Sequence, residues 1–527
     1  LMKKEFFNAC QHDCPDNCAM ISTVEDGKVI SVKGRKDHPF TRGVLCSKVK
    51  SYHKRIYSDQ RIFYPLRRIG EKGEGRFQRI SWKEALDEIK SQFTKIIKKN
   101  GAESILPCSY LGHQGLLNGL HCGDSFFNKL GATIGERTFC NASASKAFRM
   151  VAGPVGGIDP ESFAFSKIII IWGMNILSTS MHHARFIIKA INNGAKFIVI
   201  DPIISKTAKK ADLHIQPFPG TDVALALGLI SEIVKRNLHD TEYINKYTKG
   251  FKKLLQRANY FDLKRTSQIT GVPQKTIKYL ANMIGNEKST AIRLGVAIER
   301  NKNGADAVRA ITSLATIIGA WNEKGGGVFQ HPHGNLPINR EKITTPELGK
   351  KNRNSTNLFG LADALDDNAK VKILSLFIYN SNPVIAVANQ NKLIKNLRRE
   401  NLFTVVSEIF HTDTCDYADI ILPATSQLEQ YDLMYSWGHF NLQYNDKSIE
   451  PLGEAVSNTE LFRRMAKVMN FKEEKFTFNE EKLIKLSLNW NSPSMQKINF
   501  KKIKENGFVR LNVGSADERI PHKNGNF

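Results

Sequence analysis

The chain has no apolar run near the roughly 18 residues needed to cross a bilayer. Its longest, "KIIIIWG", is the length of one strand. The amino end, "LMKKEFFNAC", offers neither an apolar signal region nor a twin arginine before the first cysteine. These gaps predict a cytoplasmic protein without a membrane span, unless a segment precedes Leu1. Cysteine is scarce, eight in 527 residues, at positions 10, 14, 18, 46, 108, 122, 140 and 415. That is too few for a disulfide scaffold; a tight cluster in such a chain points to metal instead. No G-x-G-x-x-G occurs, so an ordinary NAD site is not supported. Aromatic and basic residues are not interleaved, which argues against a base-stacking platform.

What the chain does have is length, a globular composition and positive charge. It carries 41% hydrophobic residues and a net charge of +25. The length suggests roughly three or four domains. The charge allows a polyanionic partner or lysine-rich solvated faces. The basic residues are scattered, and "KKN" ending at 100 reads as an exposed helix end, so solvated faces are favoured and no nucleic acid is expected.

In "ACQHDCPDNC", Cys10, Cys14 and Cys18 stand at equal spacing, and Cys46 follows in "TRGVLCSK". Four thiolates can surround zinc or hold the corners of an iron–sulfur cubane. Structural zinc usually takes two short paired knuckles. Three cysteines in one loop with a distant fourth suit a cubane better, with zinc and unliganded thiols as the alternatives. Lys48, two residues on, is unremarkable by itself in so basic a chain. Between the cysteines, "MISTVEDGKVISVKG" alternates as a hairpin with "EDGK" as its turn.

A repeat lies in the middle of the chain. "IIIIWGMNILSTSMHHARFIIKAINNGAKFIVIDP" reads as strand, turn at Gly173–Asn175, helix and strand. "ILSLFIYNSNPVIAVANQNKLIKNLRRENLFTVVSE" repeats it, with its turn at Asn380–Asn382. Asn175 precedes Asp201 by 26 positions, as Asn382 precedes Glu408. Asp201 precedes Asp212 by 11, as Glu408 precedes Asp419. Matched spacings predict two related nucleotide-binding halves. The acid after each second strand is placed for ribose hydroxyls or a guanine edge, unless it merely ends a buried strand. "NILSTS" supplies hydroxyls and a helix start for phosphate.

The segment "CQHDCPDNCAMISTVEDGKVISVKGRKDHPFTRGVLCSK" resembles the iron–sulfur segment of the molybdopterin oxidoreductases, the molybdenum or tungsten bis-molybdopterin guanine dinucleotide enzymes. The likeness extends over "PFPGTDVALALGL", "GNEKSTAIRLGVAIERNKNGADAVRAI" and "EIFHTDTCDYADIILPATSQLEQ" to the end of the chain. It implies that Cys10, Cys14, Cys18 and Cys46 bind a 4Fe–4S cluster and that Lys48 bridges cluster and pterin. It implies dinucleotide contacts at Gly173, Asn175, Asp201, Gly220, Thr221 and Asp222 in one half, and at Asn380, Asn382, Glu408, Thr412 and Asp419 in the other. Cys140, in "ERTFCNASASKAF", would read alone as a buried thiol; the resemblance makes it the metal ligand. Formate dehydrogenases usually have His after this ligand, and Asn141 stands here, which argues against formate. Cys108, Cys122 and Cys415 are expected as core thiols, and His113, His182 and His183 as structural residues.

The implied fold is α/β. A small β-rich iron–sulfur domain (1–60) precedes two Rossmann-like units, one from 61–138 and 331–470, the other from 139–330, with 471–527 a linker toward a barrel-like cap that the sequence does not include. Without that cap the chain alone is expected to bind cofactor poorly. The implied function is two-electron oxygen-atom or hydride chemistry on a small-molecule substrate, with electrons passed singly to an iron–sulfur or other electron-transfer protein. Two alternatives stand beside it: a molybdenum-free electron conduit or inactive relative, and a basic zinc protein. The zinc reading leaves the repeat unexplained.

Overall fold

The computed structural model describes residues 3–138, 140–153, 157–332 and 336–513. Strands β1 (Lys4–Ala9), β2 (Ala19–Glu25) and β3 (Lys28–Gly34) form an antiparallel sheet. Glu25 pairs with Lys28 across Asp26 and Gly27, whose φ values are +48° and +74°. Two central residues with positive φ make the tight turn that the right-handed strand twist favours, hence Asp-Gly. Alternation along the hairpin buries Met20, Val24, Val29 and Val32 against Val49, Tyr52 and Ile56 of the helical segment after Cys46.

The chain then lays down β4 (Leu66–Arg68), β5 (Phe77–Arg79), β6 (Ile105–Cys108) and β7 (Ile134–Glu136). Next come β8 (Ile168–Trp172), β9 (Lys196–Ile200), β10 (Leu213–Ile215), β11 (Thr290–Leu294) and β12 (Gly327–Phe329). These five make one parallel sheet, ordered β10-β9-β8-β11-β12. Strand β13 (Ser355–Asn357) pairs with β7. Strands β14 (Ser375–Tyr379), β15 (Phe403–Glu408) and β16 (Ile420–Pro423) join β4–β6 in a sheet ordered β5-β4-β16-β15-β14-β6. There β6, β14, β15 and β16 run parallel, while β4 and β5 extend the edge antiparallel. Strands β8 and β14 are buried along their whole length. Helices cover both faces of such sheets, so the strands read as unbroken apolar runs. Each buried Ile or Leu there contributes about 1.5–3 kcal/mol.

The repeat seen in the sequence is a repeat of hydrogen bonds. After β8, the Thr207 hydroxyl donates to Asn175 Oδ1 (2.8 Å) and accepts from Leu177 N–H (3.1 Å). After β14, Thr414 donates to Asn382 Oδ1 (2.5 Å) and accepts from Val384 N–H (3.2 Å). At the other end of each sheet an aspartate brackets the second strand. Asp212 Oδ2 accepts from Phe197 N–H (2.8 Å), and Asp419 Oδ2 from Thr404 N–H (2.7 Å).

A third sheet, β17 (Asp432–Tyr435), β18 (Asn441–Asn445) and β19 (Phe508–Arg510), is antiparallel. It corrects the reading of 471–527 as a linker. Over 471–513 the chain forms helices Glu480–Ser487 and Phe500–Asn506 and then β19. Ile484, Leu488, Met495, Ile503 and Val509 bury themselves with Leu433, Phe440, Leu442 and Tyr444. Apolar burial on a partner sheet holds this segment. Residues 514–527 lie outside the described residues. No helix of the described residues is long and apolar enough to cross a membrane.

Candidate functional site

The loop from β1 to β2 carries three of the clustered cysteines. Cys10 N–H donates to Cys18 O (2.8 Å), which closes the loop, and Asn17 Nδ2 donates to Cys10 O (3.2 Å). Cys46 stands at the start of the short helix Ser47–Lys50, and Lys48, two residues on, is exposed. Burial, reinforced by the neighbouring cysteines, pushes the Cys10 thiol up to about 12. Burial and Asp16 push Cys14 to about 11. Burial and the other three sulfurs raise Cys18. Three thiols raised in this way share one space, and a strongly cationic centre placed there would turn them into thiolates. Among the described residues no group of three or more His, Cys, Asp and Glu side chains is arranged to hold a metal ion. A cubane does not need that arrangement, because each thiolate takes a different iron. His182 Nε2 approaches Cys18 Sγ to 3.3 Å, bringing the first parallel sheet's helical layer against the loop.

Cys140 lies just before helix Ala142–Ala152. Glu299 holds that helix start: its Oε2 accepts from Ser143 Oγ (2.7 Å) and from Ala144 N–H (3.0 Å). Burial and the Asp13 charge raise the Cys140 thiol, while a hydrogen bond with Tyr110 and the Arg300 charge oppose the rise. Asp13 is fixed by Gln114 Nε2 (2.7 Å). Cys140 thus stands among Tyr110, Asp13, Glu299 and Arg300.

Tyr110 also lines a cavity of about 370 Å³. One wall is the cysteine loop, through Gln11 and His12, with Tyr52 and Arg55 beside them. Opposite stand Asn380, Asn382, Glu408 and Thr412, at the carboxyl ends of β14 and β15. Gln427, Gln430 and Asn458 close it. Gln11 Nε2, His12 Nε2, Gln427 Nε2 and Asn458 Oδ1 are buried without a hydrogen-bond partner. Leaving such groups unmet costs about 1–3 kcal/mol each, so a polar occupant is called for. Burial raises Glu408, and burial with the Arg55 and Lys48 charges lowers His12 to about 4. Lys48 is therefore close enough to His12 for its charge to be felt there.

The expected contacts divide. Asn380, Asn382, Glu408 and Thr412 come together around one cavity. Asn380 is itself a tether, since its Nδ2 donates to Asn118 O and Gly119 O, both at 2.9 Å. Asp419 is not with them. It precedes β16, at the far end of the sheet, and pairs with Arg68 (2.9 Å) and Lys72 (2.9 Å). There it brackets strands and balances buried Lys72, apart from the other expected contacts. In the first half, Gly173 (φ +67°) and Asn175 follow β8, and Asp201 follows β9. A Cβ on Gly295, after β11, would meet Gly173 O at 1.9 Å, so that position admits no side chain. Gly220, Thr221 and Asp222 begin helix Asp222–Lys235, where Asp222 Oδ1 accepts from Trp172 Nε1 (2.8 Å). Their side chains are largely engaged: Asp201 Oδ1 accepts from Ile203 N–H (2.9 Å) and Thr221 Oγ1 donates to Phe218 O (2.6 Å).

Gln11, His12, Tyr110, Gln427, Gln430 and Asn458 were not among the expected contacts: Gln11 and His12 lie between the cysteines, Gln427 and Gln430 end the segment after β16, and Tyr110 and Asn458 belong to no motif. Among the cysteines, Cys108 and Cys415 are buried with Leu376 and Ile421, and Cys122 packs beside Phe126. His113 is tied to Gln430 (2.9 Å) and His183 to Pro160 O (3.0 Å).

A cysteine loop, a second thiol and a polar cavity at the strand ends of parallel sheets define an α/β metalloenzyme that binds an extended cofactor. Comparison with known proteins says which kind. A family model described as molybdopterin oxidoreductase matches residues 61–468, and one described as molybdopterin oxidoreductase Fe4S4 domain matches residues 4–58. The chain belongs to the molybdopterin oxidoreductase family. The probable oxidoreductase YoaE of Bacillus subtilis (strain 168) is 39% identical over 507 residues, covering 96% of this chain and 74% of that protein. The F420-dependent formate dehydrogenase subunit alpha of Methanocaldococcus jannaschii is 28% identical over 543 residues, covering 97% and 77%. The structure of acetylene hydratase from Pelobacter acetylenicus superposes with a TM-score of 0.83 at 24% identity, over 96% of this chain and 74% of that one, which shows the mixed α/β fold. The family's cofactors, a 4Fe–4S cluster and molybdopterin-bound molybdenum or tungsten, fit the donor set: soft sulfur at the loop and at Cys140, and unmet amides around the cavity.

Proposed function

We propose that this chain performs two-electron chemistry on a small molecule at a molybdenum or tungsten centre carried by two pterin guanine dinucleotides, and exchanges single electrons through the cluster at its amino end. The observation that carries this reading is the cavity. It runs from Gln11 and His12, inside the cysteine loop, to Tyr110, which touches Cys140, and on to Asn382, Glu408 and Thr412 at the strand ends. An extended cofactor lying there would meet the cluster at one side and the metal ligand at the other.

In this reading Cys10, Cys14, Cys18 and Cys46 hold the cluster, and Cys140 binds the metal. Lys48 supplies a cation between cluster and pterin. The units 61–138 with 331–470, and 139–330, each take one dinucleotide at the open ends of a Rossmann-like sheet. Gly173, Asn175, Asp201 and the Gly220–Asp222 turn serve one; Asn380, Asn382, Glu408 and Thr412 serve the other. Bound there, the metal supplies oxygen-atom or hydride chemistry and the cluster a one-electron outlet. The protein orients the reaction. Glu299 fixes the helix start behind Cys140, and Tyr110 offers a hydroxyl beside its sulfur. Asn141, not histidine, follows Cys140, which argues against formate as substrate.

The test is anaerobic expression in cells that build both cofactors, followed by metal counts. About four irons and one molybdenum or tungsten per chain are expected. The Cys140→Ala variant should keep its iron and lose turnover. Zinc in place of iron, or iron unaccompanied by either heavy metal in a cofactor-replete host, would overturn the reading.

A further inference from the structure

A depression of about 330 Å³ lies where the iron–sulfur sheet meets the first parallel sheet's helical layer. It is lined by Arg42, Glu161, Phe165, Arg185, Phe186 and Lys189. Arg42 belongs to the loop that delivers Cys46. Arg185 lies one helical turn beyond His182, whose ring touches Cys18 Sγ. The depression is therefore lined from the chain segments next to two of the four clustered thiols, Cys46 and Cys18.

Its charge is one-sided. Arg42, Arg185 and Lys189 make no ion pair among the described residues; Arg185 spends one donor on Pro39 O (2.8 Å). Lys324 adds a fourth cation, over the Phe165 ring at 3.9 Å. The single lining carboxylate, Glu161, is already held by Arg510 at 3.3 Å. Burial and the Arg42 charge lower Arg185, and the Glu161 charge only partly opposes them.

Its apolar content is equally uneven. Val44 is 48% exposed, Phe165 38%, Met181 38% and Ile188 47%. Val44 is two residues from Arg42, and Met181 adjoins His182. Ile188 and Lys189 share a helix face with Arg185, three and four positions on. Exposed apolar side chains that alternate along these segments with unpaired cations suit a protein-binding surface better than a solvated face.

We infer that this face, Arg42, Val44, Phe165, Arg185, Ile188 and Lys189, is the docking surface for a small acidic electron-carrier protein whose carboxylates surround its own redox centre. The inference rests on the proposed function for the purpose of the contact, but the contact can be measured without it. Charge complementarity steers such partners and gives fast, short-lived complexes that need little buried area. A carrier seated there would meet the segments that hold Cys46 and that contact Cys18.

The test uses the cofactor-loaded protein and an acidic plant-type 2Fe–2S ferredoxin, with binding measured by anaerobic calorimetry. Binding should weaken at least about tenfold between about 20 and about 500 mM NaCl, because surface attraction is screened. The R42E/R185E double variant should bind at least about tenfold more weakly at low salt and match the wild type at high salt. Val44→Ser with Ile188→Ser should weaken binding a few-fold at both salts. Lys189→Glu alone repeats the charge test if the double variant loses its fold or its iron. Wild-type affinity in R42E/R185E with normal iron content would overturn the inference. So would competition by millimolar inorganic phosphate, which would make this a free-anion site, or salt-sensitive self-association through the same residues. A chain lacking iron would sink the proposed function and leave the ferredoxin binding to be judged on its own.

Discussion

The two parallel sheets are built on one plan and finished differently. Each has the Asn–Thr latch after its first strand, with partners 32 residues apart in both, and each has the aspartate bracket, 15 residues from its partner. Around β14 and β15, the cysteine loop and the Gln427–Asn458 segment wall off a cavity and leave amides unmet. Around β8 and β9, Asp201, Thr221 and Asp222 are satisfied within their own unit. What is repeated therefore serves folding; what differs serves the site. A spacing match in sequence detects the first and is blind to the second.

The largest effect should come from the element outside the repeat. Replacing Cys10, Cys14, Cys18 or Cys46 with serine should abolish stable cluster retention, read as loss of iron and of brown colour after anaerobic purification. Both sheets should remain folded, because their cores, centred on Ile169–Trp172 and on Leu376–Tyr379, take nothing from the loop. Global unfolding of these variants would mean that the cluster holds the sheets together, and the division between frame and site would fail.

Within the frame, the brackets should separate. Asp419→Ala strands the Lys72 ammonium, whose side chain is fully buried, and frees Thr404 N–H. Breaking a buried pair from one side costs about 3–5 kcal/mol. Asp212→Ala frees Phe197 N–H, and Asp212 makes no ion pair among the described residues, so about 1–2 kcal/mol is expected. Denaturant unfolding of both variants measures the difference. Equal losses would show that the Arg68–Lys72–Asp419 cluster adds nothing to the shared bracket.

These brackets also show how far the sequence could be read. The register of Asn175, Asp201 and Asp212 against Asn382, Glu408 and Asp419 was visible, and it described true equivalence in space. It could not say which equivalent positions face a ligand. Asp419 lies at the amino end of its strand and Glu408 at the carboxyl end of another, and alternation alone does not assign ends to a site. The hairpin was legible because "EDGK" needs positive φ at two positions and supplies Asp-Gly there. The segment 471–513 was not, because its helices and β19 are short and their apolar residues make sense only against β17 and β18. Tyr110 and Asn458 carry no motif; they are functional candidates only because folding brings them to Cys140 and to the cavity.

Acid should act on the cavity side of the molecule. Asp432, fully buried, accepts from Leu117 N–H (2.8 Å) and Asn118 N–H (3.1 Å), and burial outweighs these bonds and raises it to about 6. A raised carboxyl binds its proton more tightly in the folded state. Its contribution is complete below the unfolded value near 3.8 and is lost as pH climbs through about 6. Stability should fall by up to about 2–3 kcal/mol from this group between those limits and level off above them. Urea unfolding from pH 4 to 7 checks the slope, and Asp432→Asn should remove that part of it. A slope that survives in the variant belongs to another carboxyl.

The smallest effect bears most directly on the contrast. Glu408 lines the cavity and is half-buried, with one oxygen accepting from Ile409 N–H (2.7 Å). Asp201, its equivalent, uses Oδ1 on Ile203 N–H, and its carbonyl meets His214 Nε2 at 2.8 Å. If the second half alone presents a ready acceptor to a guanine or ribose, Glu408→Ala should weaken GDP binding to the full chain about tenfold, roughly 1.4 kcal/mol. Asp201→Ala should weaken it by less than about threefold, under 1 kcal/mol. Glu408→Gln, which keeps an acceptor oxygen, should recover most of the loss, and a purely structural role for the carboxylate would not predict that recovery. Equal losses at the two positions would place both halves on the same footing as nucleotide sites and return the difference between them to the loops that wall the cavity.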